Sequence, residues 1–166
     1  MFLLRWLIRI TVALALLVGA VLLTARYSDG PLGPLPGGPL VSGPFVTQPV
    51  TDWSFAKDVE EIEVQLDTQT KSRTTWVLVS DGKAYIPAAV GFPPGKSWHR
   101  VALEDGRAVL RIDDRRYPVK LTRVDDAAVQ AAVRKIAEKK YPSRPAGEVW
   151  LFAVESLPGT PAAQRQ

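Results

Sequence analysis

Hydrophobic positions follow two different rules along this chain. From Met1 to Ala25 they run almost unbroken: Arg5 and Arg9 are the only charges, and Ile10 to Ala25 carries none. As a helix that uncharged stretch spans roughly 24 Å, and extension back to Trp6 reaches the ~30 Å of bilayer hydrocarbon. All its faces are apolar, so it predicts a membrane span over residues 6–25 and not a surface helix of a soluble domain. From Thr51 onward the rule is alternation. Glu61-Ile62-Glu63-Val64-Gln65-Leu66-Asp67 alternates strictly, which places Ile62, Val64 and Leu66 on one buried face.

Further strands follow from the same period. Thr74 to Ser80 is rich in β-formers, Asp81-Gly82 signals a tight turn, and Lys83 to Pro87 returns. A loop, Gly91 to Ser97, leads to an expected fourth strand, Trp98 to Leu103. Asp105-Gly106 turns into a fifth, Arg107 to Ile112, and Asp113-Asp114 into a sixth, Tyr117 to Val124. Pro118 places an edge or a bulge early in that last strand. One helix comes next, with Asp125 as N-cap, Val124 and Val129 as a hydrophobic staple, and Val129, Val133, Ile136 and Ala137 as its apolar stripe. Tyr141-Pro142 ends it, and Glu148 to Glu155 is a nearly continuous apolar strand of central type. Six strands in successive hairpins, a helix and a seventh strand must close or fold over to hide their edges. The expected fold is mostly β: a small antiparallel split β-barrel with one packed helix, preceded by a single N-terminal transmembrane helix. Its parts are an anchor (1–27), a Pro/Gly-rich linker (28–50), the barrel (51–157) and a frayed tail (158–166).

Residues 30–45 read GPLGPLPGGPLVSGPF. Proline and glycine there resist helix and strand, yet Leu32, Leu35, Leu40 and Phe45 recur. Two readings stand: a semi-rigid stalk, or a strap that docks its apolar residues on the domain or the membrane.

Charge orients the anchor. Arg5, Arg9 and the amino terminus lie on one side and Arg26, followed by Asp29, on the other, which places the N-terminus in the cytoplasm and residues 27–166 outside the plasma (inner) membrane. A rival reading is a signal peptide cleaved after Ala20, following Val18-Gly19-Ala20. Net charge is +4, but residues 51–166 contribute only +2 of it, so there is no basic field for nucleic acid. The chain has no cysteine and one histidine, His99. Disulfides, thiol catalysis and cysteine or two-histidine metal sites within one chain are thereby excluded.

From Glu63 to Glu155 the pattern resembles the split β-barrel of flavin-binding proteins, in particular the deazaflavin-dependent nitroreductase branch and pyridoxamine-phosphate-oxidase-like barrels. The stretches that carry the likeness are LDTQTKSRTTWVLVSDGKAYI, GKSW, AVLRIDDRRYPVKLTRVDD and the helix ending EKKY. The resemblance implies a homodimer with FMN or a deazaflavin in a groove between barrels. It implies cofactor phosphate held by the basic hydroxyl segment Lys71, Ser72, Arg73, Thr74 and Thr75, and Trp98 walling the ring. The chain departs from that pattern: no glycine occurs between Leu66 and Val79, and His99-Arg100-Val101 replaces the usual asparagine-leucine. An exported domain would also need its cofactor delivered outside the cytoplasm. Those departures place a non-catalytic ligand- or protein-binding module of the cell envelope ahead of a flavin- or deazaflavin-dependent oxidoreductase. No catalytic residue is assigned; His99 is the one side chain that titrates near neutrality.

Overall fold

The computed structural model describes residues 2–91, 95–142 and 147–159. Helix α1 (Phe2–Tyr27) is followed by a coil segment, and the sheet begins at β1 (Glu61–Leu66). Then come β2 (Ser72–Trp76), β3 (Leu78–Ser80), β4 (Lys83–Ala89), α2 (Trp98–Glu104), β5 (Arg107–Ile112), β6 (Arg115–Arg123), α3 (Ala127–Lys140) and β7 (Val149–Ser156). All seven strands form one antiparallel sheet in the order β2-β1-β5-β6-β7-β4-β3. It is a curled half-barrel. Its two edge strands, β2 and β3, are consecutive in the chain, so the segment 72–80 crosses from one edge to the other at Val77 and curls the sheet back on itself.

That crossing divides the single strand expected over Thr74 to Ser80. The carbonyl of Val77 leaves the ladder and accepts from Lys140 Nζ at 3.0 Å and Tyr141 Oη at 3.1 Å. The expected turns at Asp81-Gly82 and Asp113-Asp114 both carry two consecutive positive φ values, 49° and 71°, then 48° and 58°. These are the left-handed residues that two-residue hairpins require.

Trp98–Glu104 is a helix and not the fourth strand expected there. Trp98, His99 and Ala102 are buried while Arg100 and Leu103 are exposed, a helical spacing. In a strand, Arg100 would share the buried face of Trp98. The hairpins are therefore β1–β2, β3–β4 and β5–β6, and two helices accompany the sheet. The N-cap of α3 is Asp126, one residue past the expected Asp125; its carboxylate accepts from the amides of Ala128 and Val129. Pro118 lies in β6, which runs between β5 and β7, so that strand is not an edge. The proline fits because its carbonyl accepts from Leu157 N, just past the last β6–β7 residue pair, and its imino nitrogen faces the same way.

The concave face holds the main core: Ile62, Val64, Leu66, Leu110, Ile112, Val119 and Phe152 among others, closed at one end by Trp98 and Ala102 of α2. The convex face is covered in two halves. Helix α3 lays Val133 on Leu78, Tyr85 and Leu151, with Tyr141 stacked on Trp76 at 4.2 Å between ring centroids. The coil 28–46 lies along the other half, over β2, β1, β5 and the start of β6.

Candidate functional site

Strand β2 has two faces, and its register with β1 separates them. Opposite residues of an antiparallel pair project to one side, so Arg73 and Thr75 point inward with Val64 and Ile62. Ser72 and Thr74 point outward with Gln65 and Glu63.

On the outward face the coil takes two, those of Ser72 and Thr74, of the three hydroxyls that the resemblance would assign to phosphate. Gly37 and Ser72 form a two-way backbone bridge, and Ser72 Oγ, fully buried, donates to Gly38 O at 2.5 Å. Thr74 Oγ1 donates to Gly33 O at 2.8 Å. Gln65 Oε1 accepts from Leu40 N, and Leu40 is 5% exposed. Further along, Arg111 pairs with Glu63 and with Asp29, the latter at 2.9 Å, and donates to Ser42 Oγ. Burial works to raise the Asp29 carboxyl. Hydrogen bonds from Ser42, the Val41 amide and Arg111 outweigh it and hold the group at about 2. Arg116 donates to Gly43 O and Leu40 O and lies 4.0 Å over the Phe45 ring. These contacts are those of a docked strap.

On the inward face, Arg73 reaches the mouth of the half-barrel. Its guanidinium donates to Gln69 Oε1 at 2.7 Å and stands 5.7 Å from the centre of the Trp98 ring. Lys96 Nζ, from the loop before α2, stands 5.6 Å from the same ring. Burial lowers the Arg73 group to about 10; burial and then the Arg73 charge lower Lys96. No carboxylate among the described residues counters either shift. Trp98 is only 2% exposed, packed at 5.6 Å from Phe152, so its ring is already covered. His99, also 2% exposed, packs edge-on against Trp150, and its Nδ1 has no hydrogen-bond partner among the described residues. Burial, then Lys96 and Arg100, lower its pKa.

Of the six residues singled out from sequence, the structure thus brings two together, Arg73 and Trp98. Ser72 and Thr74 belong to the strap, Lys71 is exposed beside it, and Thr75 is paired opposite Ile62 within the sheet. Lys96 was missed, although parity offered a signal for its partner: Arg73, Thr75, Val77 and Val79 alternate along the sequence, and the last two are apolar and buried. An open groove of about 780 Å³ lies elsewhere, lined by Val46, Val50, Phe55, Arg115 and Tyr117.

Compared with known proteins, the chain matches no family profile and no curated protein. Among solved structures it is similar to a "Putative Pyridoxamine 5'-phosphate oxidase" from Listeria innocua. That likeness is at 8% identity and a TM-score of 0.44, over 58% of this chain and 82% of the other.

Proposed function

We propose that this chain is a membrane-anchored, extracytoplasmic half-barrel module of non-catalytic, ligand-binding type, and that its ligand is an anion held between Arg73 and Lys96. One observation carries the reading: two partly desolvated cations share the Trp98 ring with no carboxylate neutralising them among the described residues. A desolvated guanidinium beside an ammonium gains from an anion that can accept two parallel N–H bonds and a third from the lysine. The flavin alternative fits less well, because a flat ring would have to displace both cations to reach Trp98, and the hydroxyls of Ser72 and Thr74 already serve the strap.

The anchor reading draws on α1. Leu3–Tyr27 is long and apolar enough to cross a membrane. Trp6 and Tyr27 stand at its two ends, roughly 31 Å apart at 1.5 Å per residue, where aromatic side chains suit the membrane–water interfaces.

The test uses the full chain in detergent, titrated with inorganic phosphate and followed by tryptophan fluorescence, alongside gel filtration with FMN or a deazaflavin. Phosphate binding that Arg73→Gln abolishes, with no visible absorbance retained, supports the proposal. Retained flavin absorbance that the same substitution removes would transfer the site to the oxidoreductase alternative. A reporter fused after Gln166 should be active only outside the cytoplasm.

A further inference from the structure

We infer that the anion taken by Arg73 and Lys96 is the phosphate of an anionic phospholipid headgroup, presented by the bilayer that α1 spans. The inference rests on the anion-binding and anchor readings above and adds the source of the ligand.

The strap fixes where the site sits. Instead of standing clear of the helix, the chain folds back on it: Ala25 is 2% exposed, and Ser28 Oγ closes the helix end by donating to Ala25 O at 2.7 Å. Gly38 packs against that same turn so closely that an added Cβ would stand 2.3 Å from Ser28 O and 3.0 Å from Arg26 O. The carbonyl of Gly38 then accepts from Ser72 Oγ. One strap residue therefore links the last turn of α1 to the first residue of β2, and Lys71 and Arg73 flank that residue. The headgroup layer on each side of the hydrocarbon is about 5–7 Å deep. A strand advances only ~3.3 Å per residue, so the backbone of Arg73 lies one residue from the strap contact at the end of α1, while its side chain turns to the concave face.

No carboxylate among the described residues opposes the shifts of Arg73 and Lys96. The nearby carboxylates of Asp29 and Glu63 are both engaged by Arg111. Arg26 and Lys71 are exposed. Arg73 and Lys96 both lie against the Trp98 ring. An anionic leaflet draws such a cluster to its surface. A phosphodiester offers two free oxygens, enough for the guanidinium fork and the ammonium together.

The experiment places the full chain in nanodiscs of phosphatidylcholine alone, or of phosphatidylcholine with a third phosphatidylglycerol, and measures amine acetylation of Lys96 by mass spectrometry. The exposed Lys135 of α3 serves as the internal reference. A third arm adds millimolar inorganic phosphate to the phosphatidylcholine discs. The expected result is acetylation of Lys96 slowed about tenfold by phosphatidylglycerol, lost in Arg73→Gln and kept in Arg73→Lys, with Lys135 unchanged. Equal Lys96 labelling in the two kinds of disc overturns the lipid inference. If free phosphate then protects Lys96, the anion-binding reading survives without the lipid; if it does not, both fall.

Discussion

The two faces of β2 are made from five consecutive residues and have opposite fates. Outward, Ser72 and Thr74 are satisfied by strap carbonyls, and their neighbours Glu63 and Arg111 are satisfied by each other and by Asp29. Inward, Arg73 is partly stripped of water, bonded to a neutral amide and set beside a second cation. A hydroxyl that donates to a strap carbonyl is a structural component, because removing it takes away a hydrogen bond that holds strap to strand. A cation brought close to another without a counter-ion is a poor structural component, since burial opposes its charge. One strand thus holds the fold together on one side and offers unspent charge on the other.

The contrast can be broken most forcefully from the strap side. At Gly37 an added Cβ would lie 1.7 Å from Gly30 O, a backbone atom that cannot step aside. Gly37→Ala should therefore lift the strap, cost about 3 kcal/mol and expose the Ser72 amide to hydrogen exchange. An unchanged melting temperature would mean that the strap contributes nothing to the domain. Arg111→Met is next. Its side chain is 10% exposed and its removal strands two carboxylates, but these are 31% and 27% exposed and can rehydrate. The expected loss is about 2–3 kcal/mol, at or below the lower end for a broken buried pair. Ser72→Ala should cost about 1 kcal/mol by removing a buried hydrogen bond to Gly38 O, which keeps only the long bond from the Ser72 amide at 3.3 Å, while leaving anion binding at Arg73 intact. If it abolished binding, the two faces would not be independent.

The alternation of Ile62, Val64 and Leu66 and the two Asp-containing turns were legible in the sequence because each is a local rule: period two, and left-handed φ at paired turn residues. The segment 98–104 was misread because seven residues are too few for period two and period 3.6 to separate when aromatic and aliphatic residues crowd both faces. Lys71 to Thr75 was legible as a polar segment, but its division into structural and free groups depends on Gly33, Gly37 and Gly38. Those lie more than thirty residues earlier in a coil with no period to register it. Lys96 escaped because its partner ring is brought to it by a helix that the pattern concealed.

On the inward side, His99 gives a pH signature. Burial, then the charges of Lys96 and Arg100, hold its folded pKa below the ordinary 6.5. The unfolded chain therefore takes up the proton first as pH falls. Stability from the neutral, buried ring is complete above about 6.5 and is lost as the pH drops toward the folded value. Melting temperatures of the wild type should fall more steeply than those of His99→Gln just below pH 6.5. Parallel curves would show that the ring is not shielded beneath the mouth.

Arg73→Gln is expected to move stability least, by no more than about 0.5 kcal/mol in either direction. The substitution forfeits one hydrogen bond to Gln69 and the contact with the Trp98 ring. It also relieves a desolvated charge and its repulsion of Lys96, whose pKa should rise in consequence. The terms oppose one another, whereas at Ser72 only the long amide bond to Gly38 O remains in place of the short hydroxyl one. Thermal melting of the two variants side by side is the check, with phosphate binding measured on the same samples. Arg73→Gln should melt with the wild type and fail to bind; Ser72→Ala should melt early and bind. A drop of about 2 kcal/mol in Arg73→Gln, on the scale of a lost buried hydrogen bond, would make the inward face as structural as the outward one.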